Sequence, residues 1–94
     1  MDAKAAVKIA KDYVVELFAE EKVENLGLEE VYKDDRQGEW YVTVGFSRPF
    51  DSATPGIIAA ARALNNSGRV FKVINISDQT SQVLGVRNRD AVKA

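Results

Sequence analysis

Residues 39–48 read EWYVTVGFSR, and their alternation decides the architecture. Trp40, Val42, Val44 and Phe46 are large and apolar, while Tyr41, Thr43, Gly45 and Ser47 fill the positions between them. Successive side chains of a strand point to opposite faces, so the run predicts a strand with one wholly apolar face. A slip of one residue would expose all four large side chains, which places Trp40 in the core with its three companions. Such a strand needs sister strands for its backbone groups and a helix or second sheet over its apolar face.

The chain before it supplies the cover. From about Asp2 to Lys22, Ala6, Ile9, Ala10, Tyr13, Val14, Leu17 and Phe18 recur at helical spacing, with Val7 and Val15 on the flank. Lys4, Lys8, Lys11, Asp12, Glu16 and Glu20 take the other side. The lysines come first and the glutamates last, against the helix dipole, and a solvated face with a Lys8–Asp12 pair accounts for that arrangement. Asn25, Leu26 and Gly27 are read as the end of the helical region. Leu28 to Asp35 (LEEVYKDD) then predicts a strand, and Asp34 to Gly38 a hairpin turn into the central strand.

Pro49 closes the central strand. Thr54-Pro55 is a helix start, Ile57 to Leu64 is alanine-rich, and Asn65 to Gly68 is a stop, so a short second helix is expected over about Pro55 to Asn65. Arg69 to Ser77 (RVFKVINIS) predicts a third strand, Asp78 to Ser81 a turn, and Gln82 to Arg89 (QVLGVRNR) a fourth strand. Strict alternation puts Leu84 and Val86 on one face of that strand, with Val83, Gly85, Arg87 and Arg89 on the other. The third strand carries Val70, Ile74 and Ile76 on one side and Phe71 and Val73 on the opposite one. A strand buried on one side only does not need that, so either the Pro55 to Asn65 segment or another protein chain is expected to cover the second face.

Composition narrows the function classes. The 94 residues hold one domain, with 46% hydrophobic and 29% charged residues as in an ordinary globular chain. Thirteen basic and fourteen acidic side chains leave a net charge of -1, which gives no field to draw nucleic acid or an anionic membrane. With no cysteine and no histidine, disulfides, thiolate chemistry, imidazole bases and the commonest metal ligands are excluded. Glu29, Glu30, Asp34, Asp35 and Glu39 are the densest carboxylates, but they lack the alternating ligand pattern of a calcium loop, so neither metal nor cofactor is expected. Gly56 beside Pro55 is a turn, since no phosphate-loop lysine follows. The opening MDAKAAVKIAKDYVVELF carries charges throughout and never reaches a secretory apolar core or a membrane span, so a cytoplasmic location is expected.

A hydroxyl nucleophile would need a base, and without histidine only a lysine or carboxylate is left. Lys72, between Phe71 and Val73, comes nearest to an apolar setting, but its stem fits along a sheet with the ammonium in water. Paired carboxylates hydrolyse glycosides only in a cleft deep enough to hold sugar, and one helix on one sheet offers little depth. The expectation is therefore no catalysis.

The run FKVINISDQTSQVLGVR resembles the C-terminal hairpin of PepSY-like domains and other small cystatin-like bacterial proteins, in which a Y/F-K-V strand enters a D-x-x-T-G-E-V-L turn and returns. WYVTVGFSRP is similar to a W-x-V-T-x-G-F-S-R-P strand of small uncharacterised bacterial proteins of the same kind. The likeness spans the first helix and four strands, stops over Phe50 to Gly68, and departs at Ser81 and Gln82, where the family has Gly-Glu. It implies an α+β domain, a long helix on a four-stranded antiparallel sheet, associated with protein binding or proposed protease inhibition.

Tyr41, Thr43 and Ser47 point away from the core face, and with Arg87 and Arg89 they form the candidate contact surface. The reading is a non-enzymatic protein-interaction module that binds a protein partner or itself, most simply as a homodimer through an uncovered sheet face or edge. Too few cations are interleaved with the aromatics, and the pI is too acidic, for nucleic acid. Rival readings are a protease inhibitor presenting the 50–68 loop, and a small-ligand-binding protein or small enzyme with a closed pocket between helix and sheet.

Overall fold

The computed structural model describes residues 1–49 and 69–89. Among the described residues a helix, α1 (Ala3–Leu17), is followed by a 3-10 turn (Ala19–Glu21) and four strands: β1 (Glu24–Asp34), β2 (Glu39–Ser47), β3 (Val70–Ser77) and β4 (Val83–Asn88). The strands form one antiparallel sheet in the order β1-β2-β3-β4. This is the expected α+β architecture of one long helix packed on a four-stranded antiparallel sheet. The second helix expected over Pro55 to Asn65 lies outside the described residues.

The Asp2 carboxylate caps α1 by accepting from the Ala5 N–H at 2.9 Å, which satisfies one of the first-turn donors. The helix stops at Leu17, earlier than Lys22. Lys22 takes φ 56°, a left-handed conformation that a helix cannot continue through. The chain re-extends at Glu24, so Asn25, Leu26 and Gly27 belong to β1 rather than to the end of the helix. Lys8 and Asp12 pair at 2.9 Å on the exposed side, as their spacing anticipates. Glu21, beyond the helix, is held by Arg48 at 2.8 Å.

The buried stripe of α1 is narrower than its sequence pattern. Ala6, Ala10 and Val14 have no exposed surface, and Val7, Ile9 and Phe18 pack beside them. Two alanines at the contact let the helix lie close to the sheet, which leaves Tyr13, Leu17 and Val15 on the outside. Under the helix sit Val42, Val44 and Phe46 of β2 with Ile74 and Ile76 of β3, all fully buried. Burying each such side chain contributes about 1.5–3 kcal/mol. Trp40 is half-buried at the end of this row and packs against the same cluster.

Register shifts modify the parity at two places. Between Asn75 and Ile76 the β3–β4 pairing shifts, so Gly85 faces Asn75 while Val83 faces Ile76. Val83 and Val86 therefore both pack on the core, and Leu84 stands 55% exposed. This corrects the expected Leu84–Val86 pairing of faces. The second place is β1, with irregularities between Glu24 and Gly27 and between Leu28 and Glu30.

Candidate functional site

The face of the sheet turned away from α1 is assembled by the pairing register. Tyr32 lies beside Tyr41, Tyr41 beside Asn75, and Asn75 beside Gly85. The next row is Glu30, Thr43, Val73 and Arg87, and the one after joins Gly27, Gly45 and Phe71. Arg89 completes that third row, its guanidinium 4.0 Å from the centre of the Phe71 ring. Tyr32 and Tyr41 stack with ring centres 5.2 Å apart and planes within 16°. The surface thus combines one aromatic stack with a cation–π contact of the kind worth about 0.5–1 kcal/mol at exposed sites.

The register places the five expected residues on this face, but not in equal roles. Arg87 and Arg89 are exposed, and Tyr41 and Ser47 are half-buried. Thr43 is only 5% exposed and lies next to Val73 at 7%, so Thr43 is part of the packing beneath the surface and not a contact in its own right. Ser47 is turned towards β1, where its Oγ donates to the Glu24 carbonyl at 3.4 Å and accepts from Asn25 at 3.4 Å.

Three residues that belong to the site were not named from sequence. Arg69 donates to the Asn25 carbonyl at 3.0 Å, and its guanidinium lies against the backbone at Gly45. Phe71 lies over the same glycine, where an added Cβ would come within 2.8 Å of its ring. Only glycine leaves room for both. Phe71 was legible, since it alternates with core-facing Val70 and Lys72; Tyr32 was not, because the β1 irregularities hide its parity.

Charge on the face is divided. Glu30 and Asp34 on β1 and Glu39 on β2 make one side acidic, while Arg87 and Arg89 make the β4 side basic; Arg69 reaches across to the Asn25 carbonyl of β1. Burial raises the Tyr41 phenol above its ordinary 10.0, with the Glu39 and Asp34 carboxylates adding to the shift and Arg87 opposing it. Asn75 donates to Glu39 at 2.6 Å, and its side-chain oxygen is buried with no partner among the described residues.

Elsewhere, Lys72 faces the core side through its pairing with Val44, as its sequence neighbours indicate. Its ammonium is spent on Asn88 and on the Phe18 ring at 5.8 Å. The hairpin ends form an open depression of about 630 Å³ lined by Gln37, Glu39, Ser77, Asp78 and Thr80. Among the described residues no three carboxylates converge on a common point, and no helix is long and apolar enough to cross a membrane. No family model matches the chain, and neither a curated protein nor a solved structure matches it at a significant level.

Proposed function

We propose that the protein is a non-enzymatic protein-interaction module of PepSY-like or cystatin-like build, and that it binds through the sheet face opposite α1. One observation carries this reading: the register gathers Tyr32, Tyr41, Phe71, Arg87 and Arg89 on a single face that α1 does not touch. Aromatic and arginine side chains supply most of the energy at protein contacts, because each buries a large area while ending in a polar or charged group. Placing them on strands holds them rigidly, so little ordering free energy is lost on binding. The acidic half of the face argues against a nucleic-acid backbone as the ligand, which would be repelled there.

A photo-reactive amino acid placed at Arg87, and in a second variant at the half-buried Lys11 on the flank of α1, tests the assignment in the producing cell. The reading expects a discrete protein adduct from position 87 and none from position 11. Adducts from the helix alone, or from neither position, overturn it.

A further inference from the structure

Resting on that assignment, we infer that the partner seated on the sheet face is a second copy of this chain, related by a two-fold axis parallel to the strands. The charge division chooses both the occupant and the axis. A two-fold contact is isologous, so a patch must complement itself. Rotation about an axis parallel to the strands, running between β2 and β3, exchanges β1 with β4 and β2 with β3. The acidic β1 side of one copy then lies over the basic β4 side of the other, and Glu30 stands opposite the partner's Arg87 in both halves. An axis across the strands would set β1 on β1 and bring like charges together, which is destabilising.

Shape follows the same operation. Tyr32, 48% exposed, occupies the row that ends at Gly85, and an added Cβ at Gly85 would meet nothing within 4 Å. The rotation lays each Tyr32 ring over that open place on the partner. Packed sheets lie about 10 Å apart with their strands roughly aligned, a spacing that a tyrosine from one side and a glycine from the other fill without overlap. The sheet edges are poorer sites. The β1 edge is broken by two irregularities and carries Glu24, Glu29 and Glu30, and β4 is six residues long.

Sedimentation across a range of concentrations, at low and high salt, tests this with the full chain. The expected result is a monomer–dimer equilibrium weakened at least tenfold by E30R and by R87E separately, and by added salt. The E30R/R87E double variant restores the dimer, and so does an equimolar mixture of the two single variants, because each then meets its opposite charge across the axis. G85F, which fills the open place, abolishes dimers at all concentrations. Circular dichroism confirms that each variant is folded, and the mixture provides an internal control, since it contains only proteins that fail alone. A monomer at every concentration overturns the inference. So does a dimer indifferent to these substitutions, a charge swap that restores nothing, or cross-linking of Tyr41 to residues 50–68 of its own chain. A monomer that still gives a position-87 adduct to a different protein overturns the second copy and leaves the interaction face standing.

Discussion

The indole N–H of Trp40 donates a 2.7 Å hydrogen bond to the Asp78 carboxylate, tying the first hairpin to the turn of the second. The same carboxylate lies 3.5 Å from the Lys33 ammonium and 3.5 Å from the α-amino group of Met1, while the Asp78 N–H donates to the Gly38 carbonyl at 2.9 Å. Tryptophan at the end of an apolar row is thereby half core residue and half clasp. Its ring packs on the buried cluster, and its one polar atom is satisfied at the rim.

The Trp40 hydrogen bond, assisted by Lys33 and the α-amino group and opposed by partial burial, holds the Asp78 carboxyl below its ordinary 3.8. A carboxyl depressed in the folded state adds stability above its unfolded value, and that increment disappears as pH falls through the folded one. Urea denaturation from about pH 6 down to about pH 2 is expected to show a steeper acid loss for the wild type than for D78N, which carries no titrating group there. Equal acid slopes would mean that the clasp is electrostatically idle. W40F removes the donor without emptying the core and is expected to bring the two slopes together.

The shift of pairing in β4 gives a sharper test of packing. Val83 and Val86 lie on the core, so V83A and V86A are each expected to cost about 1–2 kcal/mol, whereas L84A should stay within about 0.5 kcal/mol. Strict alternation demands the reverse for Val83 and Leu84. Chemical denaturation of the three variants decides between the two patterns.

That reversal marks where the sequence stops being readable. The face of β2 followed from its own alternation, because Trp40, Val42, Val44 and Phe46 are all large and no bulge interrupts them. The helix followed from its period, but its end did not, since α1 gives way at Phe18 to a 3-10 turn and then to a left-handed Lys22, none of which the residue types announce. At Leu84 in β4 and Glu29 in β1 no glycine or proline announces the shift, whereas the Glu24–Gly27 shift holds Asn25 at φ 55°. The candidate surface was legible where it depended on β2 parity and on Arg87. Thr43 is the exception, since β2 parity puts it on this face yet it is only 5% exposed, and nothing in its residue type announces that burial.

Gly45 sits under both Phe71 and Arg69, and a Cβ there would come within 2.8 Å of the ring and 2.9 Å of the guanidinium. The arginine has a flexible end and can move away, but the ring is held by its own short stem and by Arg89 above it. G45A is therefore expected to cost about 1–3 kcal/mol, the usual penalty of overpacking. F71A in the same chain vacates the space, so the double variant should be less destabilised than the sum of the two singles. A double-mutant cycle from thermal or urea unfolding measures that coupling, and strict additivity would place Phe71 elsewhere.

The β3–β4 turn carries a position where glycine would be an improvement. Ser81 adopts φ 61°, a left-handed conformation that costs a residue with a Cβ about 1 kcal/mol and glycine nothing. S81G also loosens the unfolded chain, which offsets part of the gain at about 0.4–1 kcal/mol. The expected outcome is a melting temperature unchanged or raised by a few degrees. Gly38, at φ 65° in the first hairpin, makes the opposite comparison, and G38A should lower the melting temperature clearly.

Tyr41 reports on the contact face itself. Burial raises its phenol above 10.0, the Glu39 and Asp34 carboxylates raise it further, and Arg87 pulls it back. A group whose folded pKa is raised contributes stability that is intact below the unfolded value and is lost as pH climbs through the folded one. Phenolate absorbance should accordingly show the Tyr41 ionisation displaced above the ordinary 10.0, and its loss in Y41F identifies it. R87Q removes the opposing cation and should delay that ionisation, while E39Q removes an assisting anion and should advance it. The two substitutions shift the same titration in opposite directions only if guanidinium and carboxylate both flank the phenol on this face. Shifts in one direction, or in neither, would detach Tyr41 from Arg87 and leave the face without its central contact.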